Sequence, residues 1–152
     1  MKTLIICKSI HHGSTQKIAE RMGGVLGAKV IEPAALKASD IKKYDLIGLG
    51  SGLYGEEFHP SVMKAVSSVP SLAGKKVFLF STAGVVFERS YKEMTALLSD
   101  KGAQPVGDFC CKGFNTNSFL KYIGGMNKSR PNATDLRNAE SFAKDLRVKY
   151  AS

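Results

Sequence analysis

The sequence has no long apolar segment and few cysteines, and both shortages restrict what the protein can be. No run approaches the roughly 20 apolar residues that span a bilayer, so we expect no stable membrane insertion. The apolar run from Leu4 to Cys7 is shorter than the apolar stretch of a signal peptide, and no small-residue cleavage site follows it. We therefore expect a cytoplasmic protein.

The three cysteines do not form a recognisable disulfide or metal pattern. They are Cys7, Cys110 and Cys111, an odd number with two adjacent, which argues against a disulfide framework. No Cys-x-x-Cys spacing is present, and the adjacent His11 and His12 have no third ligand nearby in the sequence, so we expect no metal site. Buried thiols in strands are the simpler interpretation.

Repeats, low-complexity segments and unusual composition are also missing. The chain has 152 residues, of which 43% are hydrophobic and 23% charged, as in an ordinary soluble globular protein. This length suits one domain with one core. We expect residues 1–152 to form a single domain.

Acidic residues are scarce relative to basic ones. The chain has 22 Lys and Arg against 13 Asp and Glu, a net charge of +9, which favours acidic or anionic partners. The basic residues are spread along the chain, without a Lys/Arg-rich arm or an aromatic-interleaved RNA motif. We therefore predict a solvated basic surface and no nucleic-acid groove.

Short apolar runs alternate with segments of helical periodicity about five times along the chain. This order predicts an α/β fold, a doubly wound parallel sheet with helices on both faces. The predicted strands are 3–8, 29–31, 44–49, 76–80 and 106–111, and the predicted helices are 16–26, 61–68, 91–98 and 135–149, the last one capped by Thr134. A long connection, residues 117–133, precedes the last helix.

Three unusual turns each follow a predicted strand. They span residues 9–15, 50–55 and 81–84. Ligands of doubly wound sheets bind beyond the carboxyl ends of the strands, near a switch in strand order. We therefore expect the three turns to converge on one edge and to form one binding site.

The first turn has the chemistry of an anion site. Ser9, Gly13, Ser14 and Thr15 immediately precede or begin a helix, where unpaired N–H groups and a partial positive charge attract anions. The pattern lacks both the nucleotide-triphosphate lysine and the dinucleotide glycines, which points to a monophosphate. A plain helix start capped by Ser or Thr is the alternative.

The other two turns suit a flat ring. Tyr54, between Leu53 and Gly55, can stack on such a ring, whereas a tight turn with Tyr54 covering the core is the alternative. The segment from Ser81 to Gly84 offers small residues and backbone amides, although an ordinary strand-to-helix loop would look the same. His11 and His12 are expected to flank the phosphate or to pack on the loop. His59 receives no role.

Taken together, these turns resemble those of the flavodoxin family. The segment from Ile5 to Thr15 resembles the flavodoxin phosphate loop, DLIGLGSGLYGEEFH the second flavin loop and FSTAG the third, while FCCKGFNT and IGGMNKSRPNATDL resemble a group of short flavodoxin-like proteins. The resemblance implies a five-stranded sheet of order 2-1-3-4-5 and bound FMN. The residues expected to bind the cofactor are Ser9, His11, His12, Gly13, Ser14, Thr15, Ser51, Gly52, Leu53, Tyr54, Gly55, Ser81, Thr82, Ala83 and Gly84.

The resemblance also implies a function, with some departures from the family pattern. In flavodoxins a loop peptide beside the ring reorients on reduction, and Gly55 or Gly52 is the candidate here. The phosphate loop is one residue longer than usual, Cys7 replaces an aromatic residue, and flavodoxins are usually acidic. An electron carrier, as monomer or weak dimer, with acidic redox partner proteins is the leading hypothesis, and no catalytic acid/base pair is expected. The alternatives are a flavodoxin-type protoporphyrinogen oxidase or quinone reductase, and a binding module without flavin.

Overall fold

The structure, a computed structural model, describes residues 1–9, 13–54, 57–83, 91–112 and 131–150. Within these ranges, no helix combines the length and the apolar character that a membrane crossing requires. Most of the predicted connection 117–133 and the turn residues His11, His12, Gly55 and Gly84 lie outside the described residues.

The described elements alternate between strand and helix, as predicted. The strands are β1 (Thr3–Lys8), β2 (Lys29–Ile31), β3 (Leu46–Tyr54), β4 (Glu57–Phe58), β5 (Lys76–Ala83) and β6 (Gln104–Lys112). The α-helices are α1 (Ser14–Leu26), α2 (Pro60–Ser68), α3 (Lys92–Asp100) and α4 (Ala133–Tyr150). Two short 3₁₀ helices, Pro33–Ala35 and Ala38–Lys43, connect β2 to β3.

Five of the strands form a parallel sheet in the order β2-β1-β3-β5-β6. The two-residue β4 lies outside this path and pairs antiparallel with the end of β3. Counting only the parallel strands, this order is the predicted 2-1-3-4-5, so the prediction is confirmed. The chain reverses direction across the sheet between β1 and β3, which is where such folds bind ligands.

Two cores cover the two faces of the sheet. Because successive strand residues point to opposite faces, Leu4 and Ile6 pack on the side of α2 and α3, whereas Ile5 and Cys7 pack on the side of α1 and α4. Strands buried on both faces are nearly continuous apolar runs, which is why β1 was recognisable from the sequence. The prediction of helices on both faces is confirmed.

Two strands continue further than predicted. β3 was expected to end at Leu49 and β5 at Phe80, but they reach Tyr54 and Ala83. Gly48 and Gly50 lie opposite Phe78 and Phe80 in the register of β3 with β5, and a Cβ atom on either glycine would overlap the facing ring. These glycines therefore accommodate neighbouring aromatic rings inside a strand and do not begin a turn.

The helix ends follow local chemistry. Gly27 ends α1 in the left-handed conformation, with φ 63°, as glycine allows at this position. α4 begins at Ala133, earlier than predicted, and Thr134 is not its cap. Instead, the N–H of Asp135 donates to Asn132 Oδ1 at 2.9 Å, and the N–H of Asn132 donates to Asp135 Oδ2 at 2.8 Å. This reciprocal pair is a capping box.

Candidate functional site

The carboxyl ends of β1, β3 and β5 lie side by side. Lys8 pairs in register with Ser51, and Ser51 pairs with Ser81 on the opposite side. The segments that follow these strands therefore leave the same edge of the sheet, called the carboxyl edge below. The prediction that the described parts of the three turns converge is confirmed.

The N-terminus of α1 faces this edge without a side-chain cap. Gly13 occupies the N-cap position in the left-handed conformation, with φ 65°, and has no side chain to offer to the first-turn N–H groups. Ser14 and Thr15 are the first residues inside the helix, both buried, and no side-chain cap bond forms. Ser14 and Thr15 lie inside the helix and are not its N-cap residue, and the partial positive charge of the helix end lies at the carboxyl edge, where it attracts anions.

The hydroxyl of Thr15 joins the first turn to the end of β5. Thr15 Oγ1 and Thr82 Oγ1 are 2.7 Å apart, and the two residues are only 2% and 5% exposed. The bond links residues that are 67 positions apart in the chain. It fixes the start of α1 against the third of the strands that build the edge.

A second link joins the end of β3 to α2. The Ser51 hydroxyl donates to Gly52 O at 2.6 Å and accepts from the N–H of His59 at 3.0 Å. His59 is the N-cap of α2, and its Nδ1 accepts from the N–H of Ser61 at 3.0 Å. Because a backbone N–H can only donate, neutral His59 carries its proton on Nε2. Burial, and secondarily the charge of Lys8, lowers the pKa of His59.

A third link joins the end of β5 to the start of α3. The hydroxyls of Ser81 and Tyr91 lie 2.7 Å apart, and the ring of Tyr91 packs on Phe58 of β4 with centroids 5.0 Å apart. Tyr91 has φ 44°, which is a strained conformation for a bulky residue. Its buried ring and its hydrogen bond hold it there.

A carboxylate connects β4 with α3. Glu57 Oε1 accepts from the N–H of Glu93 at 3.1 Å, in the first turn of α3, where a negative charge is favourable. This contact ties the hairpin that follows β3 to the helix that follows the third turn. The side chains of Glu57 and Tyr91 thus hold the second and third turn regions against each other.

One hydroxyl at the edge is left without a partner. Ser9 Oγ, directly after β1, is buried and makes no hydrogen bond within the described part of the chain. A buried polar group without a partner costs about 1–3 kcal/mol. Ser9 directly follows β1, and the chain continues from there to Gly13 and α1. This unsatisfied hydroxyl is therefore the observation that fits an anionic ligand at the edge.

The charges near α1 also suit an anion. The first turn of α1 contains no acidic residue. Lys17, the fourth residue of the helix, is exposed. Lys8, at the end of β1, lies close enough to His59 to affect the pKa of that imidazole. Lys8 and Lys17 flank residues 9–13 in the sequence, and positive charge on either side of this segment favours an anion there.

The thiols are structural in this region. Burial raises the pKa of Cys7 to about 12, with smaller contributions from Glu20 and Glu32, so Cys7 stays protonated and inert. Cys111 is buried and Cys110 half-buried in β6. The described residues contain no cluster of three or more His, Cys, Asp or Glu that could hold a metal ion.

The structure describes eleven of the fifteen predicted site residues at least in their backbone, all at the carboxyl edge. Gly52, Leu53 and Tyr54 belong to β3, and Ala83 ends β5; Gly52 is extended there and takes no left-handed conformation. Four hydroxyls of this set form hydrogen bonds within the protein and thereby stabilise the edge: those of Thr15, Ser51, Ser81 and Thr82.

Three residues that organise this edge, His59, Tyr91 and Glu57, were not predicted from the sequence. The pattern His59-Pro60-Ser61 was a usable signal, because proline favours the first position of a helix. Tyr91 and Glu57 carried no local signal, since their partners lie 10 and 36 positions away.

A separate groove lies between α1 and α4, away from the carboxyl ends of the strands. It has a volume of about 510 Å³ and is lined by charged and small residues, among them Lys17, Glu20 and Gly24. Arg21 and Glu140 form a 2.7 Å salt bridge there, and this hydrogen bond lowers the pKa of Glu140. The described residues that line this groove belong to α1 and α4, and none of them lies at the end of a strand.

Comparison with known proteins identifies the family. The family model described as a flavodoxin domain matches residues 4–119. An uncharacterized protein of Methanocaldococcus jannaschii is 43% identical over 148 residues, which cover 96% of this chain and 98% of that protein.

Solved structures agree with the fold. Oxidised flavodoxin 2 from Bacillus cereus superposes with a TM-score of 0.73 at 21% identity, covering 99% of this chain and 100% of that one. A flavodoxin from the domain Archaea gives a TM-score of 0.71 at 18% identity, with complete coverage of both chains. With its sheet order, its convergent strand ends and the match over most of its length, this chain belongs to the flavodoxin family.

Proposed function

We propose that the protein binds FMN at the carboxyl edge and transfers electrons between partner proteins. The observation that supports this most directly is the buried hydroxyl of Ser9, which has no partner within the described residues and follows β1 on the way to the N-terminus of α1, whose N-cap is Gly13. A phosphate monoester supplies acceptor oxygens for both the hydroxyl and the first-turn N–H groups. The same edge takes its other two walls from the ends of β3 and β5.

The residues divide into two groups in this proposal. Ser9, Gly13, Ser14 and Thr15, with His11 and His12, bind the phosphate, whereas Ser51–Gly55 and Ser81–Gly84 surround the isoalloxazine ring. Bound FMN supplies the one- and two-electron redox chemistry, and the protein orients the ring and tunes its potential. The Thr15–Thr82 hydrogen bond joins the first group to the second, and the Ser81–Tyr91 hydrogen bond joins the second group to the start of α3.

The net charge of +9 supports partners with acidic surfaces. Complementary charge accelerates association and suppresses wrong partners. A basic carrier would repel the basic partners that acidic flavodoxins use, so we propose an acidic donor and an acidic acceptor. Raising the salt concentration should slow electron transfer to such partners.

Titration with two flavins tests the phosphate contact. The wild-type apoprotein should bind FMN more tightly than riboflavin, which lacks the phosphate, as followed by quenching of flavin fluorescence. Ser9→Ala should weaken FMN binding by about tenfold, because it removes a hydrogen bond to a charged group, and should leave riboflavin binding unchanged.

A matched control exists at the other end of β1. Thr3 Oγ1 is also buried without a partner in the described structure, but it lies at the opposite end of the strand. Thr3→Val should leave the affinity for FMN unchanged. If neither flavin binds at any concentration, or if FMN and riboflavin bind equally, the proposed site is wrong.

Turnover separates a carrier from an enzyme. A carrier holding FMN should exchange electrons with partner flavoproteins and should oxidise porphyrinogen or reduce quinones only slowly. Fast turnover of either small molecule would replace the carrier function by an oxidoreductase one, while leaving the FMN site itself in place.

A further inference from the structure

The fold gathers basic residues that are scattered in the sequence. Nine cationic side chains lie in the segments that lead into the parallel strands or in the last turns of helices: Lys2, Lys29, Lys42, Lys43, Lys75, Lys76, Lys101, Arg147 and Lys149. These segments define the amino edge, opposite the carboxyl edge. Among the described residues, Asp40, Asp45 and Asp100 oppose these nine cations there, so the described part of this edge carries an excess of six positive charges, against a net charge of +9 for the chain.

Six of these nine cations contact other groups of the protein, and three make no side-chain contact within the described structure. Lys75 Nζ donates to Tyr44 O at 2.7 Å, and Lys101 Nζ donates to Ser67 O at 3.1 Å, so both satisfy carbonyls at the ends of helices. Lys2 and Lys29 are exposed at the starts of strands, where no such carbonyls need them. Favourable helix dipoles therefore do not explain the whole charge.

The same edge also exposes apolar side chains. Val148, in the last turn of α4, is 81% exposed, and Met1, before β1, is 44% exposed; they are the exposed large hydrophobic residues of the described structure. The Tyr150 ring lies between two lysines, with Lys76 Nζ at 5.8 Å and Lys149 Nζ at 5.5 Å from its centroid. Lysines, an aromatic ring and aliphatic residues on one surface suit the boundary between lipid headgroups and acyl chains.

We propose that the amino edge docks on an anionic lipid surface. Polybasic surfaces are attracted to anionic lipids, and the exposed apolar residues add a contribution that salt does not screen. A nucleic acid fits less well, because eight of the nine cations are lysines and only Arg147 could form bidentate phosphate contacts. The interaction is peripheral.

This arrangement is compatible with electron transfer at the opposite end. The eight residues of β5 separate the two edges by about 26 Å, from the rise per residue of a strand. A protein docked by its amino edge therefore keeps the carboxyl edge directed away from the lipid. The inference goes beyond the proposed function and does not depend on flavin.

Vesicle co-sedimentation of the full chain, without flavin, tests the proposal. The protein should sediment with vesicles that contain about 30% phosphatidylglycerol and not with pure phosphatidylcholine vesicles. Lys2→Gln, Lys29→Gln, Lys42→Gln and Lys149→Gln combined, all at exposed positions, should weaken the binding at least about tenfold.

A matched variant controls for net charge. Lys17→Gln, Lys64→Gln, Lys92→Gln and Arg137→Gln combined remove the same number of exposed charges from positions outside the amino edge and should leave binding within about twofold of wild type. Equal weakening by both variants, or none by the first, would overturn the proposal.

The apolar contribution distinguishes lipid from other anionic partners. Val148→Ser should reduce vesicle binding several-fold, most visibly at about 1 M salt, where screening leaves mainly apolar contacts. If a short DNA duplex binds more tightly than the vesicles and Val148→Ser changes nothing, the amino edge is a nucleic-acid surface and the lipid proposal is wrong.

Discussion

The hydroxyls of Thr15 and Thr82, 67 positions apart in the chain, form a buried 2.7 Å hydrogen bond between the start of α1 and the end of β5. A bond of this kind adds about 1 kcal/mol to stability, but removing one partner leaves the other unsatisfied and costs about 1–3 kcal/mol. The two threonines therefore act as a unit.

We expect Thr15→Val and Thr82→Val each to lower the free energy of unfolding by about 1–3 kcal/mol, because each leaves one buried hydroxyl unpaired. The double variant should lose less than the sum of the two. Urea denaturation of the four proteins measures this coupling, and strictly additive losses would contradict it. Thr3→Val is the control, since Thr3 Oγ1 is buried and unpartnered within the described structure; it should leave stability unchanged or raise it.

Tyr91→Phe tests the link between β5 and α3. The variant keeps the ring against Phe58 but removes the partner of the fully buried Ser81 hydroxyl, so it should cost about 1–3 kcal/mol in chemical denaturation. Tyr44→Phe is the matched control, because no hydrogen bond to the Tyr44 hydroxyl occurs within the described residues. Equal effects of the two variants would show that the Ser81 contact contributes nothing.

Two glycines should respond oppositely to the same substitution. A Cβ on Gly50 overlaps the Phe80 ring inside the sheet, whereas a Cβ on Gly24 in α1 meets no atom within 4 Å. Gly50→Ala should therefore destabilise the protein by more than about 1 kcal/mol, and Gly24→Ala should stabilise it by about 0.5–1 kcal/mol. Thermal unfolding compares them, and a stable Gly50→Ala protein would contradict the tight packing of β3 on β5.

His59 should make stability depend on pH. Because its pKa is lowered in the native protein, the unfolded chain takes up the proton more readily than the native protein does. The contribution of neutral His59 to the free energy of unfolding is therefore complete above about pH 6.5 and is lost as the pH falls through the lower native pKa. His59→Asn retains a capping side chain but does not titrate. The stability of wild type relative to this variant should fall between about pH 7 and pH 5. A constant difference would mean that protonation does not disturb the cap.

Local patterns were sufficient to predict the five parallel strands and the four α-helices, but not β4 or the two 3₁₀ helices. The continuous apolar run of β1 and the apolar spacing of α1 predicted a strand and a helix within two residues of the observed bounds. The turn after β1 was recognisable because glycine, serine and threonine precede a helix. The strand order came from the family resemblance, since alternation alone does not specify it.

Contacts between distant segments decided the remainder. β3 and β5 continue past their predicted ends because they pair with each other through Gly52 and Thr82. α4 begins at Ala133, two residues before its predicted start, because Asn132 and Asp135 together cap the helix there. The pairing of β3 with β5 is not visible in either segment alone, whereas the pair formed by Asn132 and Asp135 is a local pattern that the sequence analysis did not use.

The sequence by itself determined the five parallel strands and the four α-helices, and that polar or glycine-rich residues stand at or after the ends of three strands, because these properties depend on residues close together in the chain. Only the tertiary structure decided which hydroxyls are paired, which ones, among them that of Ser9, are left without a partner in the described part of the chain, and where the positive charge collects. The physical reason is that parallel strands bring all their starts to one edge and all their ends to the other. Scattered lysines thereby become one basic surface, and separate turns become one site.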